Sequence, residues 1–280
     1  MPIMPKTVVA VAGYVPLEIP VMRAQNINLT LLDERELREH NIKQEQLPME
    51  STPTEAMLRS PRLPHDTYQY LYDALQRRNI VLINSPEMVR RASEFELHYP
   101  LIEKATPRSL IVSANISPTD LYDDIRRKGL RVPLFVKTEI KSLKSGSVIE
   151  NLTVDSLDKV LENLRTQLSG FYRIIVREMV KLQRLPDDPD TPLEYRAFVL
   201  HNKIVITQDG TEGKPSPPLG ETGGDMFYDQ WIDTLARANF SNFYIMDIAR
   251  AADANQFVII EIKDGQYTKI RNVDSFWSRR

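Results

Sequence analysis

Short apolar runs crowd the second half of this sequence and leave few folds open to it. The stretches 134–138, 147–152, 172–178, 193–201, 203–207, 243–248 and 258–262 are of strand length and rich in valine, isoleucine, leucine and phenylalanine. Two segments with helical spacing interrupt them, one with Leu157, Val160, Leu161, Leu164 and Leu168 on one face, the other with Phe227, Trp231 and Leu235. His201, Asn202 and Lys203 make a tight turn between two apolar runs, a hairpin signal that implies antiparallel neighbours. The pattern predicts an α+β arrangement with antiparallel sheets.

The first half reads differently. Residues 8–12 form a valine and alanine run that stops at Gly13 and suits a buried strand. Residues 40–65 are polar and contain Pro48, Pro53, Pro61 and Pro64, which predicts an irregular surface segment. Tyr68, Leu71, Tyr72 and Leu75 then recur at helical spacing, and 80–83 follows as a strand, so the region reads as α/β. Ser85 can cap a helix opened by Pro86, and Ser117 with Pro118 repeats the device, since proline lacks the N–H that a first helical turn leaves unpaired. Thr106 and Pro107 mark a linker, dividing the chain into 1–105 and 106–280. The loop 209–224, with its glycines and prolines, reads as mobile.

Composition removes several functions. The chain of 280 residues has no cysteine, so disulfides, thiolate nucleophiles and thiolate metal sites are excluded, which fits a reducing compartment. A formal charge of -2 gives no global positive field for nucleic acid or an anionic membrane. Arg77, Arg78, Arg90, Arg91 and 126–128 read as solvated helix ends, where cations complement the dipole. The apolar stretch 8–22 is broken by Pro16, Glu18 and Pro20 and is neither a signal peptide nor a membrane span. The expectation is a soluble, cytoplasmic protein. His40, His65, His98 and His201 are scattered and match no metal motif.

Four polar clusters sit at strand ends. Lys137, Lys141 and Lys144 precede a turn of small residues, 145–147; compact ammonium groups and exposed backbone N–H groups suit phosphate oxygens, and a solvated hairpin has the same pattern. Arg177 and Glu178 end a strand, followed by Met179 and Val180, and such an edge can offer main-chain groups to an adenine ring or be an ordinary exit into a loop. Alternation sends Glu194 and Arg196 to one face of a strand, where an ion pair across strands is the plain explanation. Asp247 and Glu261, with Asp264 just beyond, interrupt consecutive apolar strands. Two inward carboxylates repel unless a cation joins them, and oxygen ligands select magnesium or manganese; pairing with Lys263 or Arg271 is the alternative.

In this order and spacing, Phe135-Val136-Lys137, Arg177-Glu178-Met179-Val180, Glu194-Tyr195-Arg196, Asp247 before a polar turn, and Ile259-Ile260-Glu261 resemble the ATP-grasp superfamily. More narrowly, the stretches 136–144 and 261–266 resemble the clade named for one arginine and two lysines, and 82–86 is similar to what precedes the grasp domain there. The resemblance spans roughly residues 65–275. It implies an ATP-grasp fold, with two α+β subdomains (106–178 and 179–280) whose antiparallel sheets sandwich ATP, preceded by a smaller α/β domain over 1–105.

Carried over by position, the resemblance implies that Lys137 and Lys141 touch the ATP phosphates, with Lys144 and Arg177 also among the nucleotide-binding residues, and that Glu178, Met179 and Val180 form the adenine hinge. Arg196 faces the transferring phosphoryl group, with Lys141 beside it in the catalytic set, and Asp247 and Glu261 hold Mg2+ or Mn2+. The family's usual asparagine two residues after the metal glutamate is Lys263 here, so Asp264 is the substitute third ligand. The loop 143–147 is poorer in glycine than the usual one, which bears on closure over the phosphates. The implied activity is transfer of the ATP γ-phosphate to a carboxylate-bearing small molecule or peptide, forming an acyl phosphate that an amine attacks. Transfer to a hydroxyl by a kinase, and a non-catalytic nucleotide-binding module, are the alternatives.

Overall fold

The computed structural model describes residues 4–139, 147–167, 172–185, 187–209, 219–253 and 256–278. The chain forms two compact units, one from Met1–Ser93, Leu185–Ile248 and Glu261–Arg280, the other from Glu94–Arg184 and Ala249–Ile260.

The first unit begins with β1 (Thr7–Val11), α1 (Glu18–Ala24), β2 (Asn28–Leu32), α2 (Glu34–Arg38), β3 (Thr54–Arg59), α3 (His65–Gln76), β4 (Ile80–Leu82) and α4 (Pro86–Ser93). The strands form a sheet in the order β2-β1-β3-β4 with parallel pairings throughout. β1 is buried on both faces, Val8 and Ala10 facing one core and Val9 and Val11 another, which is why it reads as an unbroken apolar run. The stretch 40–65, expected to be irregular, contains β3, whose Ala56, Met57 and Leu58 are fully buried. Arg59 at its end is also fully buried, held by Glu18 at 2.7 Å and by the carbonyls of Gly265, Gln266 and Thr268. A buried guanidinium needs such partners, and here they are distant in sequence.

The second unit contains α5 (Phe95–Ile102), β5 (Ser109–Ser113), α6 (Pro118–Lys128), β6 (Leu134–Thr138), β7 (Val148–Ile149), α7 (Val154–Gln167) and β8 (Arg173–Glu178). Its sheet runs β5-β8-β6-β7 with antiparallel pairing. Leu134 and Val136 of β6 join α6 and α7 in the main core through Leu121, Ile125, Leu157, Leu161 and Leu164. α6 starts on Ser117, whose hydroxyl accepts from the Asp120 amide, and stops at Gly129 with φ of 66°, the left-handed conformation that ends a helix without strain in glycine.

The chain returns through β9 (Arg184–Leu185) and β10 (Asp188–Pro192), a small two-stranded sheet, and then β11 (Glu194–Leu200) and β12 (Lys203–Asp209). The expected hairpin is present. β11 and β12 are antiparallel around His201 and Asn202, both at positive φ as a two-residue primed turn requires. Of the loop 209–224, residues 210–218 lie outside the described residues; α8 (Leu219–Thr222) is helical and Gly224 opens α9 (Gly224–Arg237). β13 (Phe243–Arg250), β14 (Phe257–Asp264) and α10 (Val273–Trp277) complete the chain, giving the sheet β12-β11-β13-β14. Phe198, Leu200, Phe243, Ile245, Phe276 and Trp277 share one core with Val8, Ala10 and Met57, so the parallel sheet and the C-terminal sheet belong to one folded unit. Among the described residues, no helix is long and apolar enough to cross a membrane.

Candidate active site

On β11, alternation puts Arg196 on the face of Phe198 and Leu200; on β13, it puts Asp247 on the face of Phe243 and Ile245. This face is core at one end and charged at the other. There, Arg196 grips Asp247 as a fork: Nε donates to Oδ1 at 2.8 Å and Nη2 to Oδ2 at 2.7 Å. The Asp247 side chain is only 10% exposed and that of Arg196 22%. Burial pushes the Asp247 carboxyl above the usual aspartate range, Arg196 pulls it back, and the negative charge of Glu261 on neighbouring β14 pushes it up again. Glu261 also acts on Arg196 and is itself paired with Lys263 at 2.5 Å. Each carboxylate therefore has a cation, the pairing the sequence left open for Lys263.

The position of this pair is fixed from behind. Tyr228 of α9 is buried, and its hydroxyl is shared between the carbonyls of Tyr195 and Met246 at 3.0 and 3.1 Å, the residues just before Arg196 and Asp247. Sequence reading missed this residue, since its only signal is its place on the apolar face of an amphipathic helix.

Asp264, expected as the third ligand, is held by internal donors. Its Oδ1 accepts the Gln266 amide at 2.8 Å and its Oδ2 accepts Asn84 Nδ2 at 2.8 Å, in an interior where burial pushes its carboxyl up to about 7. Both oxygens are engaged inside the protein.

In the second unit, Lys137 lies on β6 opposite Ile175 of β8, half-buried and on the same face as Phe135, away from the Leu134 and Val136 core. Lys141 and Lys144 lie outside the described residues. Arg177, expected among the nucleotide-binding residues, is buried and clamps its own unit. It donates to the Ile260 carbonyl at 2.7 Å, to Thr106 Oγ1 at 3.0 Å and to Ser109 Oγ at 3.3 Å, and it stacks 5.0 Å from the centre of the Phe95 ring. The register that sets Ser109 opposite Arg177 explains this engagement.

The side chain of Glu178 accepts from the Arg131 amide at 2.9 Å and pairs with Arg108 and Arg131. The Glu178 and Met179 amides donate to the Arg108 and Pro133 carbonyls, each at 2.9 Å. Met179 is exposed and Val180 half-buried.

Among the described residues no group of three or more histidine, cysteine or acidic side chains is gathered for a metal. What the C-terminal sheet offers is two carboxylates within electrostatic reach of each other. That all-oxygen set fits magnesium, which is commonly held by one or two carboxylates while water and substrate phosphates fill the remaining positions.

Solved structures share this architecture over nearly the whole chain. A RimK-domain ATP-grasp protein from Sphaerobacter thermophilus matches with a TM-score of 0.61 at 10% identity, covering 97% of this chain and 98% of that one. The D-alanine-D-alanine ligase from Coxiella burnetii matches at 0.61 and 13% identity, covering 97% and 88%. The ATP-grasp ligase PsnB, solved with a phosphomimetic variant of its minimal precursor, Mg and ADP, matches at 0.58 and 11%, covering 97% and 91%. The fold is that of the ATP-grasp enzymes. The chain belongs to family 3 of the ATP-grasp domains in the clade named for one arginine and two lysines, whose model matches residues 117–279. No curated protein sequence matches it significantly.

Proposed function

We propose that this protein is a magnesium-ATP-dependent ligase that joins a carboxylate to an amine. The observation that carries the reading is the charged end of the C-terminal sheet, where Arg196, Asp247 and Glu261 converge within a family whose fold binds ATP. On this reading Asp247 and Glu261 hold Mg2+, or Mn2+, which when bound neutralises phosphate charge. Lys137, with Lys141 and Lys144, meets the phosphates, and the main chain of Glu178 to Val180 meets adenine. Arg196, now held by Asp247, stabilises the phosphoryl group in transfer. Arg177 and Asp264 would join this set only by exchanging the internal partners that hold them.

Phosphoryl transfer asks for positioning and charge neutralisation, with no side-chain nucleophile. A substrate carboxylate oxygen attacks the γ-phosphorus, the bond to the β-phosphate oxygen breaks, and ADP departs. The amine nitrogen then attacks the acyl carbon, phosphate leaves, and the nitrogen gives up one proton. Likeness to a D-alanine-D-alanine ligase, and to a ligase solved with Mg and ADP, supports a small-molecule or peptide carboxylate as acceptor and Mg·ATP as the energy source. We also keep the division at 105/106 and 178/179 and a cytoplasmic setting as parts of this reading.

Trapping with hydroxylamine tests it. Incubated with Mg·ATP and pools of amino acids and short peptides, the protein should release ADP and give an acceptor-dependent hydroxamate. ADP release that depends on an acceptor but yields no hydroxamate would instead make it a kinase of a hydroxyl.

A further inference from the structure

Asn84 lies outside the stretch that matches the family, at the turn after β4, and is completely buried. Its side-chain amide is saturated. Nδ2 donates to the Phe243 carbonyl and to Asp264 Oδ2, each at 2.8 Å, using both hydrogens. Oδ1 accepts the Phe243 amide at 2.9 Å, the Asn242 amide at 3.0 Å and the Ser241 hydroxyl at 3.1 Å. One side chain thus binds the first residue of β13 through both its main-chain groups and the last residue of β14 through its carboxylate. Directly behind, Gly265 lies so close to the Phe243 ring that an added Cβ would stand 2.8 Å from it.

These are the far ends of the strands that carry Asp247, four residues after Phe243, and Glu261, three before Asp264. Strand register matters here because a slip by one residue turns every side chain to the opposite face, and Asp247 would then turn away from Arg196. A saturated buried amide resists such a slip, since any shift leaves several desolvated groups without partners. Ordinary apolar contacts between the strands would tolerate sliding far better.

We propose that Asn84 is the positioning residue of the divalent-metal pair: by pinning β13 to β14 at the Phe243–Asp264 junction, it sets the spacing of Asp247 and Glu261. This rests on the reading of those carboxylates as metal ligands. Asn84 touches neither of them, and it acts through the two strands.

The test is Mn2+ binding to the full chain in the presence of ADP, followed by electron paramagnetic resonance, beside ADP binding without metal. In Asn84→Ala, kept at a temperature where circular dichroism shows it folded, Mn2+ binding should weaken about 10- to 100-fold, as for other residues that orient ligands from behind. Metal-free ADP binding should change less than about threefold, a split that a general loss of structure would not produce. Gly265→Ala, which presses on the same junction by another route, should weaken Mn2+ in the same direction and keeps the test open if Asn84→Ala does not fold. Parental Mn2+ affinity in whichever of these variants folds overturns the positioning role alone. Absence of Mn2+·ADP binding by the parent overturns the metal reading and this inference with it.

Discussion

Two arginines near strand ends, Arg177 and Arg196, look alike in the sequence and differ in the structure. Arg177 is buried and spends its donors on a main-chain carbonyl and two hydroxyls, with an aromatic ring against its face. Arg196 is partly exposed and forks onto a carboxylate that a second carboxylate also influences. A guanidinium fixed by internal oxygens is a strut. One that balances a carboxylate at the charged end of a sheet can exchange that partner for an incoming anion or yield it to a metal, and on the proposed reading Arg196 is the functional member of the two.

Removing each in turn tests the contrast. Arg196→Ala should cost roughly 3 kcal/mol or more of transition-state stabilisation, about a hundredfold or more in kcat, by analogy with lost electrostatic donors. Steady-state ADP release checks this, and parental turnover would erase the distinction. Arg177→Ala should leave KM for ATP nearly unchanged while lowering folding stability by roughly 3 kcal/mol, because buried oxygens lose their donors. Urea denaturation measures it, and a KM effect without a stability effect would reverse the two roles.

A third prediction concerns the acid outside the pair. The buried carboxyl of Asp264 is pushed up to about 7, against roughly 3.9 for an exposed aspartate. The folded protein therefore holds this proton more tightly than the unfolded chain, so its contribution to stability falls as pH rises from about 4 to about 7, by at most about 1.4 kcal/mol per unit. Asp264→Asn should flatten that slope between pH 5 and 7, and an unchanged slope would show that the group is ionised throughout. The smallest effect calibrates the second unit: Ser117→Ala removes the cap of α6 and should cost about 1 kcal/mol, well below the Arg177 loss.

How much of this was legible depended on where the partners lay. Most of the apolar strands and the 201–202 hairpin carry their signal locally and fell where the sequence put them, while of 147–152 only Val148–Ile149 is strand. β3 was hidden because Glu55 and Arg59 break its apolar run between Pro53 and Pro61, and the reason Arg59 can be buried, Glu18, stands 41 residues away. Pro100 lies inside α5 and obscured that helix. At the site, Asp247 and Glu261 were visible as acids in apolar strands, but Asn84 looked like a turn residue and Asp264 like a ligand. Their mutual bond spans 180 residues, which no local pattern encodes.

The proposed function depends on the carboxylates of β13 and β14 carrying the metal that accompanies ATP. Isothermal titration of a non-hydrolysable ATP analogue into the parent and Glu261→Gln proteins, with and without magnesium, addresses this directly. The parent should bind with a marked gain from magnesium and the variant should lose that gain while still folding. An equal response to magnesium in both proteins, or no heat in the parent, would contradict it.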